Sequence, residues 1–423
     1  MKIRLYNARI LSMIEDEDVF EGEIRIEDDR IVYIGKSTTE SHFDKEIDCH
    51  KNLLMPGFKN AHTHSGMSIL RSLADDLPLD SWLNESIFPV EGRMTPEDIY
   101  ELSKLSVLEY LTSGITACFD MYLTPETIAK SMDDMDFRCV QVGAMNNFSQ
   151  SPELLEKMYL ELNKEDSLQS YILGFHAEYT TSLENMKKIA ELALKYEAPI
   201  YLHLAETKSE VDGCIERYGK TPMALMDDLH MFDFGGGIYH GVWMSDEDLD
   251  IMKKRGLYIV ANPASNLKLA SGIAPIKKYL DKGIPVALGT DGPASNNCLD
   301  MFREMFLVTA LSKCVENDAS VVEANEVLKM ATVNGALCMG LNDCDVLSVG
   351  KKADIIMIDL NMPNMQPINN IKKNIVYSGS KINVKMTMVN GKILYMNGEF
   401  YTNDKPEDIY QKVYEIKDRI IYG

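Results

Sequence analysis

The sequence PGFKNAHTHSGMSIL, residues 56–70, combines a short apolar run with two closely spaced histidines, His62 and His64. On a β-strand, residues i and i+2 face the same side, so both imidazoles would point together from the end of one strand. Two nearby histidines are more often structural than functional, and the pair alone predicts little. Its meaning depends on the residues at the ends of the other apolar runs of the chain.

Seven further apolar runs resemble this one in length, and helical patterns separate many of them. The eight runs are GFKNAHTH, ITACFDMY, RCVQVGAM, YILGFHAE, PIYLHLAE, GIYHGVW, LYIVANPASN and PVALGTDG. Helix signals between them are clear, since Thr95 precedes a proline and two acidic residues, and Gly114 ends that helix. Alternation of strand and helix implies parallel strands with crossover helices. Eight such units over roughly 290 residues predict an α/β fold of the (β/α)8 TIM-barrel type.

A doubly wound open sheet is the competing α/β fold, but no G-x-G-x-x-G follows the early strands. Both chain ends contain short β patterns, and Asn390-Gly391 and Asn397-Gly398 are strong hairpin signals. We therefore expect a small β-sandwich domain built from residues 1–54 and 347–423, the latter segment including a terminal helix. The barrel would occupy residues 55–346.

The composition is that of an acidic globular protein, and 423 residues are long for one compact domain. Asp and Glu number 65 against 43 Lys and Arg, a formal charge of −22. This charge would repel phosphate backbones and anionic lipid surfaces, so we expect no nucleic-acid polymer and no membrane as partner. The eight cysteines form no C-x-x-C pair and the N-terminal residues lack a signal-peptide pattern, which favours a cytoplasmic location.

Further candidate site residues lie at or near the ends of other apolar runs. His176 belongs to the fourth run, His203 to the fifth, His240 to the sixth and Asp291 to the eighth. The catalytic face of a (β/α)8 barrel lies at the C-terminal ends of its strands, so these side chains would converge with the first histidine pair. Separate structural roles for all of these histidines are a much poorer explanation.

Three imidazoles and one carboxylate suit a borderline divalent metal ion, with zinc expected first and iron or manganese as alternatives. We expect His62, His64, His203 and Asp291 to be the ligands of one such ion. A bound metal can lower the pKa of water to about 7, which makes hydroxide available at neutral pH. Glu206, three residues after His203, would lie close enough to pass a proton.

Together these residues resemble the amidohydrolase superfamily in its aminohydrolase branch, and most closely the 5′-methylthioadenosine/S-adenosylhomocysteine deaminases. The resemblance spans nearly the whole chain. Its branch-specific parts are SNLKLASGIAPI (265–276) and TDGPASNN (290–297), whereas H-x-H is a motif of the whole superfamily. Other matching stretches are FPVEGRMTPEDIY, LHLAETKSEV and YHGVWMSDEDL.

The resemblance implies hydrolytic deamination of an adenosine-like nucleoside, giving the inosine analogue and ammonia. Catalytic roles would belong to three residues. Asp291 would take a proton from the attacking water and deliver one to ammonia. Glu206 would protonate ring atom N1, and His240 would polarise the attacking water or the new oxygen.

The resemblance also implies that Glu91 binds the ribose hydroxyls, that His176 contacts the substrate, and that Ser295 lies near the leaving group or the ring. One departure bears on the substrate. Family members carry an arginine after the third strand, but GAMNNFSQSPELLEK (143–157) has no basic residue before Lys157, and Arg138 lies on the wrong side of the strand. Because an arginine suits a carboxylate, its loss disfavours S-adenosylhomocysteine relative to 5′-methylthioadenosine, 5′-deoxyadenosine or adenosine.

Two other functions are compatible with the sequence. A related barrel could keep the metal site and act on another heterocycle, as guanine deaminases and triazine chlorohydrolases do. A non-catalytic binding module is disfavoured because the full ligand set is present. Barrels of this family are often oligomers, so we expect a homodimer or homotetramer by analogy.

Overall fold

The computed structural model describes residues 1–38, 42–73, 75–77 and 81–423. The strands of these residues form two hydrogen-bonded sheets, one of nine strands and one of eight. In chain order the strands are β1 (Lys2–Ile10), β2 (Phe20–Glu27), β3 (Arg30–Gly35), β4 (Lys45–Asp48), β5 (Leu53–Pro56), β6 (Phe58–Thr63), β7 (Ile115–Asp120), β8 (Arg138–Val142), β9 (Gln169–Ala177), β10 (Ile200–Leu204), β11 (Gly236–His240), β12 (Tyr258–Ala261), β13 (Val286–Leu288), β14 (Ile355–Ile358), β15 (Val384–Val389), β16 (Lys392–Met396) and β17 (Glu399–Phe400).

Strands β6 to β13 form the eight-stranded sheet in chain order, and every neighbouring pair is parallel. The sheet closes beyond its last strand, where the N–H of Asp291 donates to the carbonyl of His62 at 2.9 Å. A hydrogen bond of 2.8 Å from the N–H of Thr290 to Asn60 Oδ1 supports the same seam. The predicted (β/α)8 barrel is confirmed, and the doubly wound alternative is wrong.

Helices connect the barrel strands and extend beyond the barrel. The α-helices of the described residues are Phe88–Glu91, Pro96–Thr112, Pro125–Asp134, Pro152–Leu162, Leu183–Tyr196, Lys208–Tyr218, Pro222–Asp228, Asp246–Arg255, Pro263–Lys268, Ile276–Lys282, Met301–Glu316, Ala324–Ala331, Val333–Cys338, Ile371–Tyr377 and Pro406–Lys417. Capping residues mark the start of several of these helices. Thr95 and Asp98 exchange side chain to backbone hydrogen bonds as a capping box before Pro96–Thr112. Within the described residues, no helix combines the length and the apolar character that crossing a bilayer requires.

The nine remaining strands come from both chain ends. Their order is β17-β16-β15-β14-β5-β1-β2-β3, with β4 paired to β1, and apolar side chains from both halves share one core. Asn390 and Gly391 both have positive φ, 50° and 78°, in the two-residue turn between β15 and β16. This is the hairpin geometry that Asn-Gly favours. The small β domain predicted from the two termini is therefore confirmed, with its strands joined edge to edge.

A buried ion pair joins this β domain to the N-terminal end of the barrel strands. Arg138, the first residue of β8, donates from Nε and Nη2 to the two carboxylate oxygens of Asp354 at 2.9 and 3.1 Å. The N–H of Asn390 also donates to Asp354, at 2.7 Å. Arg138 therefore faces away from the C-terminal ends of the strands, as expected from its position in the sequence, and has a structural partner there.

Candidate metal centre and active site

Eight of the nine predicted site residues line one pocket of about 740 Å³ at the C-terminal ends of the barrel strands. The ninth, His62, lies beneath the pocket with its ring stacked on Tyr239 at a centroid distance of 3.8 Å. The barrel topology brings them together, since His62 and His203 lie on β6 and β10, and Asp291 follows β13. The predicted convergence of distant strand ends is therefore present.

Four donor atoms converge at the base of this pocket. The Nε2 atoms of His62 and His203 are 3.1 Å apart. Asp291 Oδ1 lies 3.5 Å from His62 Nε2 and 3.1 Å from His64 Nε2. All four side chains are buried, and His240 approaches the same group closely enough to form a second triad with His62 and His203. This is the spacing of atoms that could surround a single ion.

The hydrogen bonds of the outer ring nitrogens determine which atoms carry protons. His203 Nδ1 lies 2.8 Å from the carbonyl oxygen of His176, and His64 Nδ1 lies 2.5 Å from that of Met121. A carbonyl can only accept, so both Nδ1 atoms carry a hydrogen, and in the neutral imidazoles both Nε2 atoms then present lone pairs to the cluster. Two lone pairs facing a carboxylate are unfavourable unless a positive charge lies among them. The donor set therefore fits a divalent metal ion.

The electrostatic surroundings of His62, His203 and Asp291 favour the protonation states that metal binding needs. Burial lowers the pKa of His62 to about 3 and that of His203 well below its usual value. Burial alone would raise the pKa of Asp291, but the adjacent His62 and His64 imidazoles hold it well below its usual range. Against the effect of burial, the Asp291 carboxylate in turn raises the pKa of His64, so a bound cation would have to displace a proton there. Neutral imidazoles and an ionised carboxylate are the forms that coordinate a cation.

Asp291 is held on both of its oxygens. Oδ2 accepts hydrogen bonds from the hydroxyls of Ser265 and Ser295, at 2.6 and 2.8 Å, and Oδ1 accepts the N–H of Gly292 at 2.8 Å. The backbone of Asp291 has a φ of 60°, a left-handed conformation that is uncommon for residues other than glycine. His240 has a φ of 72°. Such strained residues concentrate at functional sites, where the surrounding structure holds them.

Glu206 and His240 form a second polar pair above the metal donors. Glu206 Oε2 lies 3.8 Å from His240 Nε2, and Glu206 Oε1 accepts a hydrogen bond of 3.0 Å from the hydroxyl of Ser271. His240 Nδ1 lies 2.7 Å from the amide oxygen of Asn266. That oxygen can only accept, so Nδ1 carries a hydrogen and Nε2 is the ring nitrogen that faces Glu206.

Glu91 lies in the same pocket but apart from the donor cluster. It ends the helical turn Phe88–Glu91, and its Oε1 accepts a hydrogen bond of 2.7 Å from the hydroxyl of Tyr122. Burial raises the pKa of Glu91 to about 7, against the opposing effect of the Tyr122 hydrogen bond. An acceptor placed here can bind hydroxyl groups of a ligand that reaches the metal donors with its other end.

His176 lines the wall next to His203, with 4.9 Å between the ring centroids. Its Nδ1 lies 2.9 Å from the hydroxyl oxygen of Thr180, and burial lowers the pKa of His176 to about 4. His176 is therefore a neutral imidazole at physiological pH. It can contact a substrate through hydrogen bonds or ring packing without adding charge.

The pocket has neither Lys nor Arg among its described lining residues. Its charged lining residues, apart from histidines, are Glu91, Glu206 and Asp291. In the loop after β8, Asn146 lines the pocket and accepts the N–H groups of Phe148 and Ser149, both at 2.8 Å. In this loop, which lacks the arginine of the family, the Asn146 side chain therefore binds the backbone of its own loop.

Sequence reasoning missed several residues that contact the predicted ones. Ser265, Asn266 and Ser271 bind Asp291, His240 and Glu206, although the sequence pointed only to the stretch SNLKLASG as a whole. Asp120, at the end of β7, accepts the N–H of Ser65 at 3.2 Å and so supports the backbone next to His64. The position of Asp120 at the end of a strand is a signal that could have identified it, whereas Ser265, Asn266 and Ser271 carry no such signal.

Comparisons with known proteins agree with this geometry. The amidohydrolase family model matches residues 53–394. A 5-methylthioadenosine/S-adenosylhomocysteine deaminase of Thermoanaerobacter pseudethanolicus is 40% identical over 420 residues, which cover 97% of each chain. A zinc-bound adenosine deaminase of Xanthomonas campestris superposes with a TM-score of 0.94 at 28% identity, covering 100% of this chain and 98% of that one.

A zinc-bound atrazine chlorohydrolase of Arthrobacter aurescens has a TM-score of 0.91 at 21% identity, covering 98% of this chain and 100% of that one. At this identity the likeness concerns the fold alone. The family model covers most of the chain, and the deaminase relative is similar over almost its full length. This chain is therefore a member of the amidohydrolase family.

Proposed function

We propose that this protein is a metal-dependent hydrolase that deaminates an adenosine-like nucleoside to the inosine analogue and ammonia. The observation that carries the proposal is the arrangement within one pocket: four metal-type donors at the base, Glu206 and His240 beside them, and Glu91 set apart. A nucleoside has the matching layout, with a reactive ring at one end and ribose hydroxyls at the other. Relatives named as deaminases of such nucleosides support the same activity.

In this proposal His62, His64, His203 and Asp291 hold one divalent ion, with zinc expected and iron or manganese as alternatives. A cation held there supplies Lewis-acid chemistry and lowers the pKa of water to about 7. Zinc in the superposed adenosine deaminase supports this choice of metal.

Asp291 is the proposed acceptor of the proton that the attacking water loses. Its Oδ2 is bonded by the hydroxyls of Ser265 and Ser295, and a hydroxyl can accept as well as donate. One of these hydroxyls can therefore rotate and leave Oδ2 free for the proton while the other bond persists. Asp291 then delivers that proton to the amino group, which leaves as ammonia.

Glu206 is the proposed donor to ring atom N1, and His240 orients the water. Ser271 occupies Oε1 of Glu206, so Oε2 is the oxygen that faces the ring and carries the proton. His240 Nε2, with its lone pair, accepts a hydrogen of the attacking water. As ammonia leaves, the proton of the new hydroxyl returns to Glu206, and the product keeps a carbonyl at C6 and a hydrogen on N1.

The substrate contacts follow from the same layout. The Glu91 carboxylate, steadied by Tyr122, is the proposed acceptor for the ribose hydroxyls. His176 contacts the substrate from the pocket wall. Ser295, already bonded to Asp291, lies at the base of the pocket near the leaving group.

The charge of the pocket supports an uncharged 5′ substituent. Its described lining residues include three carboxylates and neither Lys nor Arg, so a further carboxylate on the substrate would be repelled and unpaired. We therefore propose that 5′-methylthioadenosine, 5′-deoxyadenosine and adenosine are better substrates than S-adenosylhomocysteine. Replacing Asn146 with Arg should narrow the difference in kcat/KM between S-adenosylhomocysteine and 5′-methylthioadenosine, because it supplies a cation at the pocket wall.

The direct test is a panel of adenosine derivatives with purified, metal-loaded protein, measuring ammonia release and the absorbance change of the adenine ring. Glu206→Gln is the matched control, since it keeps the shape of the side chain and removes the proton. The absence of ammonia from the entire panel would end the proposal. If Glu91→Gln leaves activity unchanged, the alternative of another heterocyclic substrate, such as guanine or a triazine, gains support.

A further inference from the structure

The segment after β12, residues 263–272, carries three buried polar side chains into the pocket region. The exposed fractions of Ser265, Asn266 and Ser271 are 0%, 1% and 4%. Connecting segments normally turn such side chains to solvent, and buried polar groups need partners. The burial of three polar side chains within seven residues of one connecting segment therefore needs an explanation.

Each of the three binds a different side chain that the proposed reaction uses. The contacts are Ser265 Oγ to Asp291 Oδ2 at 2.6 Å, Asn266 Oδ1 to His240 Nδ1 at 2.7 Å, and Ser271 Oγ to Glu206 Oε1 at 3.0 Å. Asp291 and Glu206 follow β13 and β10, and His240 is the last residue of β11, so three different strands are involved. A single short segment thus fixes one atom on each of the groups that would handle protons.

The contacts restrict those groups in ways that matter for proton transfer. The Ser271 hydroxyl holds one oxygen of Glu206, so the carboxylate cannot exchange its two oxygens by rotation without breaking this bond. Asn266 fixes the tautomer of His240, because its amide oxygen can only accept. Misplacement of a catalytic group by about 1 Å can cost as much as 100-fold in rate, so such restraints have kinetic weight.

The segment is itself held in place from outside the pocket. The N–H of Ala264 donates to the buried carboxyl of Glu304 at 3.0 Å, and the indole N–H of Trp243 donates to the carbonyl of Ser271 at 2.7 Å. Gly272 has a φ of 130°, and a Cβ added there would lie 2.8 Å from Val242 Cγ1. Its backbone conformation is therefore one that other residues rarely adopt.

We propose that Ser265, Asn266 and Ser271 are positioning residues that align Asp291, His240 and Glu206 for proton transfer. The inference rests on the proposed function because that function assigns proton transfer to these three groups. Ser271 acts through Glu206 and touches the substrate only indirectly. Removing its hydroxyl should therefore lower kcat much more than it changes KM.

The test is a double-mutant cycle of Ser271→Ala and Glu206→Gln, measured as kcat and KM on the best nucleoside of the panel. Ser271→Ala should lower kcat about tenfold with KM within about twofold, and Ser271→Thr should restore most of the loss because it keeps the hydroxyl. In the Glu206→Gln background, Ser271→Ala should cause no further loss. An undiminished tenfold loss in that background would show that Ser271 does not act through Glu206.

Ser131→Ala is the matched control. The Ser131 hydroxyl is buried and donates to the carbonyl of Tyr100 at 2.9 Å, on a helix outside the pocket. Deleting it should lower the melting temperature about as much as Ser271→Ala does while leaving kcat unchanged. An equal fall of kcat in Ser131→Ala would mean that general destabilisation explains the effect, and would overturn the inference.

Thermal unfolding of a second cycle, Ser271→Ala with Glu206→Ala, separates this inference from the proposed function. Glu206→Ala is used here because it removes the acceptor of the Ser271 hydroxyl, whereas Gln would keep it. If Ser271 and Glu206 are coupled, the losses in melting temperature should be less than additive, and this holds whether or not the protein deaminates a nucleoside. Strictly additive losses refute the positioning role. If no nucleoside is deaminated, the proposed function fails and the thermal cycle still decides whether the contact restrains Glu206.

Discussion

Discrimination between nucleosides with and without ribose hydroxyls should depend on pH through Glu91. Burial raises the pKa of Glu91 to about 7, and the Tyr122 hydrogen bond opposes this shift only in part. Only the ionised carboxylate has all its oxygen lone pairs available to accept hydrogen bonds from two hydroxyls. Raising the pH from about 5.5 to about 8.5 should therefore strengthen the recognition of ribose.

The expected magnitude is set by this pKa. With a pKa of about 7, the ionised fraction of Glu91 rises from about 3% to about 97% over that range, which is about 30-fold. Hydrogen bonds to a charged group contribute about 1.5–3 kcal/mol, or roughly 10- to 150-fold in affinity. The preference for the ribonucleoside should thus increase by at least about tenfold, with the change in ionisation limiting it to about 30-fold.

The assay is kcat/KM for 5′-methylthioadenosine and for its 2′,3′-dideoxy analogue across the pH range. The ratio of the two values cancels the pH dependence of the metal centre and of Glu206, because both substrates share that chemistry. Glu91→Gln cannot ionise, so its ratio should stay flat. A flat ratio in the wild-type protein, or an equal rise in Glu91→Gln, would refute the assignment of Glu91 to the ribose.

Four further predictions rest on the same structure. Tyr122→Phe removes a bond that lowers the pKa of Glu91, so the midpoint of the wild-type ratio curve should move above about 7, and an unmoved midpoint would contradict this. Removal of the metal by a chelator should abolish activity and lower the melting temperature, because the histidine nitrogens and the Asp291 carboxylate lose their cation. Adding back zinc, iron and manganese separately identifies the metal that restores both activity and melting temperature. Arg138→Met should cost roughly 3–5 kcal/mol in the free energy of unfolding, because it leaves Asp354 buried without its partner, and combining it with Asp354→Asn should recover part of that loss in denaturant titrations. Burial raises the pKa of Glu304 to about 8, above its unfolded value near 4.5. The stability that its proton confers is therefore complete below about pH 4.5 and is lost as the pH rises through about 8. In melting curves, the wild-type protein should lose stability relative to Glu304→Gln between these two pH values.

The barrel could be predicted because the same strand and helix signals occur eight times along the sequence. Each strand is a short apolar run, each helix has its own start and stop signals, and eight repeats of one unit leave few alternatives. The convergence of the candidate metal ligands could be predicted for a related reason. Parallel strands end on one face, so His203 and Asp291 had to approach His62 once the barrel was accepted.

The partners of these residues could not be predicted from the sequence. Ser265, Asn266 and Ser271 occur in a short polar stretch that resembles any surface connection, and nothing local indicates that they are buried. Their burial depends on how the ends of β10, β11 and β13 approach the segment after β12, which is a property of the closed barrel. Likewise, Arg138 could be excluded from the pocket by its position, but its partner Asp354 is 216 residues away.

Two different connecting segments bear on the pocket, and they differ in how far a substitution in them would disturb the residues proposed to transfer protons. Asp291, His240 and Glu206 are buried and each is bonded to the segment after β12, so a substitution in that segment disturbs several groups at once. The loop after β8 is different, because Asn146 bonds only to the backbone of its own loop. Exchange of Asn146 can therefore alter the charge that meets the 5′ substituent while Asp291 and Glu206 keep every contact. The proposed specificity residue Asn146 and the proposed positioning residues therefore lie in separate connecting segments, and a substitution in the first leaves the contacts of the second in place.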